Sequence, residues 1–138
     1  MRITQESDYA LRILTALAER DTVVDANSLA EETFVTLRFT LKILNKLVKN
    51  GFVSSYKGVK GGYKLKRSTD RITLKSVIEL IDGPIVMVRC LESSEVCTLN
   101  HDKTLCAYHH IFNTISSEVA RKLDGITIAD VINKNFRL

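Results

Sequence analysis

Apolar and polar positions alternate along the chain with periods that change in a definite order. Leu11, Leu14, Leu17 and Ala18 recur at helical spacing behind Ser7 or Asp8, either of which can cap a first helix that ends near Arg20-Asp21. Val23-Val24 is a short extended piece. Asp25, Asn27 or Ser28 can cap a second, short helix running to about Thr33, and Ser28 with Glu31 resembles a capping box. After Phe34-Val35 a longer helix begins near Thr36. At 100° per residue, Leu37, Leu41, Leu44 and Val48 fall in one arc, which predicts a buried face that includes Leu41. Asn50-Gly51 marks the end of that helix.

The period then drops to two. Phe52 to Tyr56 and Tyr63 to Lys66 alternate as strands, joined by the loop Lys57-Gly58-Val59-Lys60-Gly61-Gly62, which predicts a hairpin. Helical spacing returns after Thr69 or Thr73 through Val77, Ile78 and Ile81, stopping at Asp82-Gly83-Pro84. Residues 85–105 have no clean period. From about Leu105 a long helix carries Ala107, Ile111, Ile115 and Val119 at intervals of four, widened by Phe112 and Leu123, and ends at Gly125. A short segment from Ile126 to Ile132 closes the pattern. The predicted fold is mainly α with a small β-hairpin: helix, short helix, longer helix and basic hairpin, the winged helix-turn-helix arrangement, followed by a long C-terminal helix. Residues 1–70 would form the winged helix-turn-helix and 71–138 the loop and long helix that follow it, in one continuous compact unit.

Charge gives this pattern a direction. No acidic residue occurs between Glu32 and Asp70, while nine basic ones do: Arg38, Lys42, Lys46, Lys49, Lys57, Lys60, Lys64, Lys66 and Arg67. Residues 1–70 hold 12 Lys/Arg and 8 Asp/Glu, a difference of +4, and residues 71–138 hold 8 of each, so the whole net charge of +4 lies in the first half. A local positive field of this kind attracts a polyanion, most commonly the DNA backbone. Arg38, Lys42, Lys46 and Lys49 cluster on a second arc of the longer helix, roughly 115° from the apolar one. The first turn of that helix, with Thr36, Leu37, Arg38 and Thr40, is placed to meet base edges, and Arg38 can contact guanine in bidentate fashion. Lys42, Lys46, Lys49 and the wing lysines Lys57 and Lys60 suit phosphates. No phosphate loop, paired carboxylates or nucleophile–base pattern is present, so an enzyme is not expected.

Cys90, Cys97 and Cys106 form a second constellation, with six residues between the first pair and eight between the second, and His101, His109 and His110 lie within or just after it. The spacing lacks the CxxC knuckles of common zinc sites. Three loosely spaced thiolates suit a larger object such as an iron–sulfur cluster. Buried or redox-active thiols, or a structural zinc, are the other readings. An odd cysteine count argues against a closed disulfide framework. The first residues have no apolar h-region and no run is long enough to span a membrane, so a cytoplasmic protein is expected.

Three motifs together closely resemble the Rrf-two family of bacterial winged-helix regulators: Asp8-Tyr9-Ala10-Leu11-Arg12, Lys46-Leu47 before Asn50-Gly51-Phe52-Val53, and Gly58 with Gly61-Gly62-Tyr63 and Leu65 in the wing. The resemblance extends over essentially the whole chain, including Ile72-Thr73-Leu74 and the cysteine loop before a long helix. It implies a homodimeric transcription factor that pairs through its long helix and reads a pseudo-palindromic site in double-stranded DNA. It assigns the wing residues Gly61, Gly62 and Tyr63 to the DNA-binding motif. It implies that Cys90, Cys97 and Cys106 hold an iron–sulfur cluster, with His109, or Asp8 from the other subunit, as the fourth ligand. The cysteine gaps are wider than is usual among cluster-binding members, so the cluster type, 2Fe–2S or 4Fe–4S, stays open. A branch of the family without the full cysteine set governs cysteine metabolism through a partner enzyme.

Overall fold

The computed structural model describes residues 2–93, 97 and 102–138. Among the described residues there are six α-helices, α1 (Gln5–Arg20), α2 (Ala26–Thr33), α3 (Leu37–Lys49), α4 (Leu74–Asp82), α5 (Ala107–Asp124) and α6 (Ile128–Asn133), and one antiparallel hairpin of β1 (Val53–Tyr56) and β2 (Gly62–Leu65). The mainly helical, winged architecture expected from the periodicity is the one observed.

Every helix but α5 begins where a short polar side chain accepts from an otherwise orphaned backbone N–H. Asp25 caps α2 and Thr36 caps α3 through the N–H groups of Ser28 and Phe39, and Thr73 caps α4. Asp25, not Ser28, is the cap of α2; the Ser28 hydroxyl donates to it. The first helix starts earlier than expected. Its cap is Thr4, not Ser7 or Asp8, because Thr4 accepts from the Ser7 N–H and leaves Asp8 inside the first turn. A reciprocal capping box of Thr127 and Asp130 opens α6.

The core gathers Ala10, Ile13, Leu14 and Leu17 of α1 with Leu29 of α2 and Ile43, Leu44 and Leu47 of α3, under Phe52 and Val53 of the hairpin. On α1 the buried stripe is therefore Ala10, Ile13, Leu14 and Leu17, with Leu11 and Ala18 at its edge. The buried face of α3 is Thr40, Ile43, Leu44 and Leu47. That stripe is rotated by roughly 80° from the one expected. Leu41, expected inside, is 43% exposed. The reason is the composition of the helix: Leu37, Phe39, Leu41, Ile43, Leu44, Leu47 and Val48 offer more than one apolar column, and packing against α1 decides between them.

Ile72, Val77 and Ile128 join the same core, so it does not stop at residue 70. The segments leading into α4 and α6 bridge each other: Ile128 N–H donates to Ile72 O at 2.9 Å and Leu74 N–H to Ile126 O at 2.9 Å. This returns the end of the chain to α1, and α5 leaves the core as an arm between two anchored helices.

The wing is anchored rather than free. Val24 pairs with Tyr63 through two backbone hydrogen bonds of 2.9 and 2.8 Å, adding a third extended segment beside β2. Gly62 makes this approach possible: a Cβ there would lie 2.5 Å from Val24 O. Arg67 closes the other side. Its guanidinium stacks on the Phe52 ring at 3.9 Å and donates to Asn50 O, fixing the C-terminal end of α3 to the hairpin.

Candidate nucleic-acid interface and sulfur site

Two groups of residues carry chemistry, one on α3 and the wing, the other between α4 and α5. On α3, Thr36, Leu37 and Arg38 lie exposed at the first turn. Thr40 does not join them. It is fully buried on the core side of the helix, with its hydroxyl unpartnered among the described residues, and cannot present itself to a base. Its polar side chain made it look like a surface residue; its position one turn before Leu44 puts it in the core.

The lysines divide in a way the sequence did not suggest. Glu6, in the first turn of α1, reaches across to α3 and holds Lys42 at 2.9 Å and Lys46 at 2.5 Å. The Lys46 hydrogen bond is the main cause that holds the Glu6 carboxyl below its usual range; partial burial opposes it and Lys42 adds to it. Lys42 also lies over the Phe39 ring, which meets Tyr9 edge-on at 5.9 Å. Lys49 is exposed and makes no ion pair among the described residues, as do Lys57 and Lys60 on the wing loop. Val59, between those two lysines, is wholly exposed at the wing tip. Gly61, Gly62 and Tyr63 lie behind this tip, half-buried, and build the hairpin and its bridge to Val24.

Glu6 belongs to a longer polar connection. Asp82, the last residue of α4, accepts from the Thr4 N–H at 3.0 Å and from the Thr4 hydroxyl at 2.5 Å. Burial pushes the Asp82 carboxyl up, and the two Thr4 hydrogen bonds outweigh it, so the net direction is down. The end of α4 is thus tied to the cap of α1, two residues before the carboxylate that holds α3. Neither Glu6 nor Asp82 stood out in the sequence, because contacts 36 to 78 residues apart leave no local pattern.

The three cysteines are free thiols, each half-buried. Cys90 lies in a short turn at Arg89–Leu91, and Cys106 stands at the N-cap of α5 without a side-chain capping bond. His109 is one helical turn on, half-buried, and the His110 N–H donates to Cys106 O. His101 lies outside the described residues. Asp8 is in an ion pair with Arg12 at 2.5 Å. Three thiols and an imidazole suit an iron–sulfur cluster by donor type. Among the described residues, however, no three His, Cys, Asp or Glu side chains converge on a common point.

The Rrf2 family, described as an iron-dependent transcriptional regulator, matches residues 3–134. A protein of Aquifex aeolicus (strain VF5) that bears the name of an HTH-type transcriptional regulator is 33% identical over 126 residues, 91% of this chain and 87% of its own. The HTH-type transcriptional regulator IscR of Yersinia pestis is 28% identical over 135 residues, 96% of this chain and 80% of its own. Among solved structures, CymR, the global cysteine regulator of B. subtilis, superposes with a TM-score of 0.80 at 24% identity, covering 97% of this chain and 98% of that one. These relatives are regulators and not enzymes. The chain belongs to the Rrf2 family of DNA-binding transcriptional regulators.

Proposed function

We propose that the protein is a homodimeric repressor in the cytoplasm whose affinity for a pseudo-palindromic operator is set by an iron–sulfur cluster on Cys90, Cys97 and Cys106. The observation that carries this reading is the set of three half-buried, unpaired thiols between α4 and α5. An anionic centre held by Cys106 would face the positive end of the α5 dipole. His109 is the favoured fourth ligand, since it shares a helical face with Cys106; Asp8 is already engaged by Arg12. The apolar stripe of α5 supports dimerisation: Tyr108, Ile111 and Ile115 are 72%, 48% and 38% exposed in a single chain.

In this reading Cys90, Cys97, Cys106 and His109 would hold the cluster and tie the turn at Arg89–Leu91 to the start of α5, and Asp82 and Thr4 would link a change there to α1 and α3. Both half-sites must be met at once, so a small change in the spacing of two heads alters affinity strongly. Purification without oxygen, with iron and sulfide quantified, tests the site. A brown protein holding both, and a colourless Cys97→Ala variant, are expected; a colourless wild type overturns the cluster.

A second reading keeps the regulator and replaces the cluster with thiol oxidation or a partner protein. The likeness to CymR and the lack of convergence among the described donors favour it. A colourless protein whose DNA affinity changes on mild oxidation is its signature.

A further inference from the structure

We propose that Leu41 and Asn45, rather than Lys42 and Lys46, complete the base-reading surface that Arg38 begins. This rests on the DNA-binding role of α3 and names the base chemistry that helix selects. The buried residues Thr40, Ile43, Leu44 and Leu47 fix which way α3 is turned. At 100° per residue the direction opposite their mean is occupied by Arg38, Asn45 and Lys49, with Lys42 about 30° to one side and Leu41 about 70° to the other. All five are exposed. The side chains of Arg38 and Asn45 have no hydrogen-bond or ion-pair partner among the described residues, so their donors and acceptors are open to a ligand.

The neighbouring lysines are in a different state. Lys42 and Lys46 are both engaged by Glu6, which cancels one of their two charges and holds both ammonium groups on the α1 flank. Arg38 and Asn45, by contrast, keep their polar ends free to meet base edges. Along the helix, Arg38 and Asn45 are separated by roughly 10 Å, which matches about three base-pair steps. Arg38 matches the O6 and N7 acceptors of guanine, Asn45 the N6 donor and N7 acceptor of adenine, and Leu41 between them the methyl of thymine. Lys49, one turn beyond Asn45, is left for phosphate. The half-site this column fits is a short run containing G, T and A within four base pairs, read in the major groove.

Selection from a pool of randomised duplexes, using the anaerobically purified full chain, tests the assignment. Wild type is expected to enrich a two-fold consensus. Asn45→Ala should lose the preference for adenine at one position of each half-site, a drop of about 5- to 150-fold in discrimination there, with affinity for a scrambled duplex unchanged. Replacing thymine by deoxyuracil should weaken wild type and leave Leu41→Ala indifferent. Lys46→Ala should keep the wild-type consensus. If Asn45→Ala and Leu41→Ala enrich the wild-type consensus with the same preferences, the proposal is overturned while the DNA-binding role stands. If wild type enriches no consensus, sequence reading by α3 fails and the proposal fails with it. All substituted positions are exposed or half-exposed, and circular dichroism melting verifies that the variants fold.

Discussion

In the reading head, the inward side chains of α1 and α3 are almost completely shielded, whereas α5, the longest helix, buries only Ser116. Fifteen buried side chains from α1, α2, α3, the hairpin, α4, α6 and the segments joining them form one cluster. The arm has the apolar stripe of a helix that belongs in a core, yet the described residues leave Tyr108, Ile111 and Ile115 uncovered. Packing makes the head rigid enough to present a fixed reading surface. Under the proposed function the arm would depend on what it meets, a second copy or a sulfur-bound centre, and dependence of that kind is what a sensor needs.

The largest expected effect of substitution lies on the head side. Leu47→Ala, fully buried beneath α3, should lower unfolding free energy by about 2–5 kcal/mol in urea titration. Ile111→Ala, half-exposed on α5, should cost far less in a monomeric background. Equal losses would erase the contrast between the two regions.

Charging the arm sharpens the contrast. Ile111→Glu with Ile115→Glu should convert a dimer to a monomer in light scattering while leaving the head's helical signal intact. A variant that stays dimeric would move the pairing surface away from α5.

Gly62→Ala tests how firmly the wing is attached. Its Cβ would meet Val24 O at 2.5 Å, so the bridge to Val24 should open at a cost of about 1–3 kcal/mol. Faster amide exchange of Tyr63, whose N–H donates to Val24 O, would report it.

The smallest effect belongs to Glu6. Glu6→Gln should cost about 0.5–1 kcal/mol at neutral pH. Because the folded carboxyl lies below its usual range, its contribution is full above that range and is lost as pH falls through the folded value. The wild type should therefore lose more stability than the variant on acidification. The variant should also bind non-specific duplex more tightly, since Lys42 and Lys46 are released.

Much of the head was legible in the sequence because its signals are local. Asn50-Gly51, the basic loop around Gly61-Gly62 and the 3.6-residue spacing of α1 each describe a few neighbouring residues, and the elements stand close to where those signals put them. The rotation of α3 was not legible. Alternation of Leu37, Phe39, Leu41 and Ile43 permits more than one buried face, and only contact with α1 chooses. The same choice put Thr40 inside and Leu41 outside, and brought Asn45 to the front. The Glu6 clamp and the Asp82–Thr4 tie were invisible for a related reason: each joins side chains distant in sequence that are individually unremarkable. On the arm, the sequence marked the three cysteines by composition alone, and composition does not fix how thiols are arranged in space.

The claim that the arm governs the head is tested most directly by one affinity ratio. A duplex enriched by the wild type is titrated with iron- and sulfide-loaded protein and with protein stripped of both, each without oxygen, alongside Cys97→Ala. Affinities that differ by about tenfold or more between the loaded and stripped wild type, with a single value for Cys97→Ala under both treatments, are the predicted result. Identical affinities for loaded and stripped wild type would contradict it.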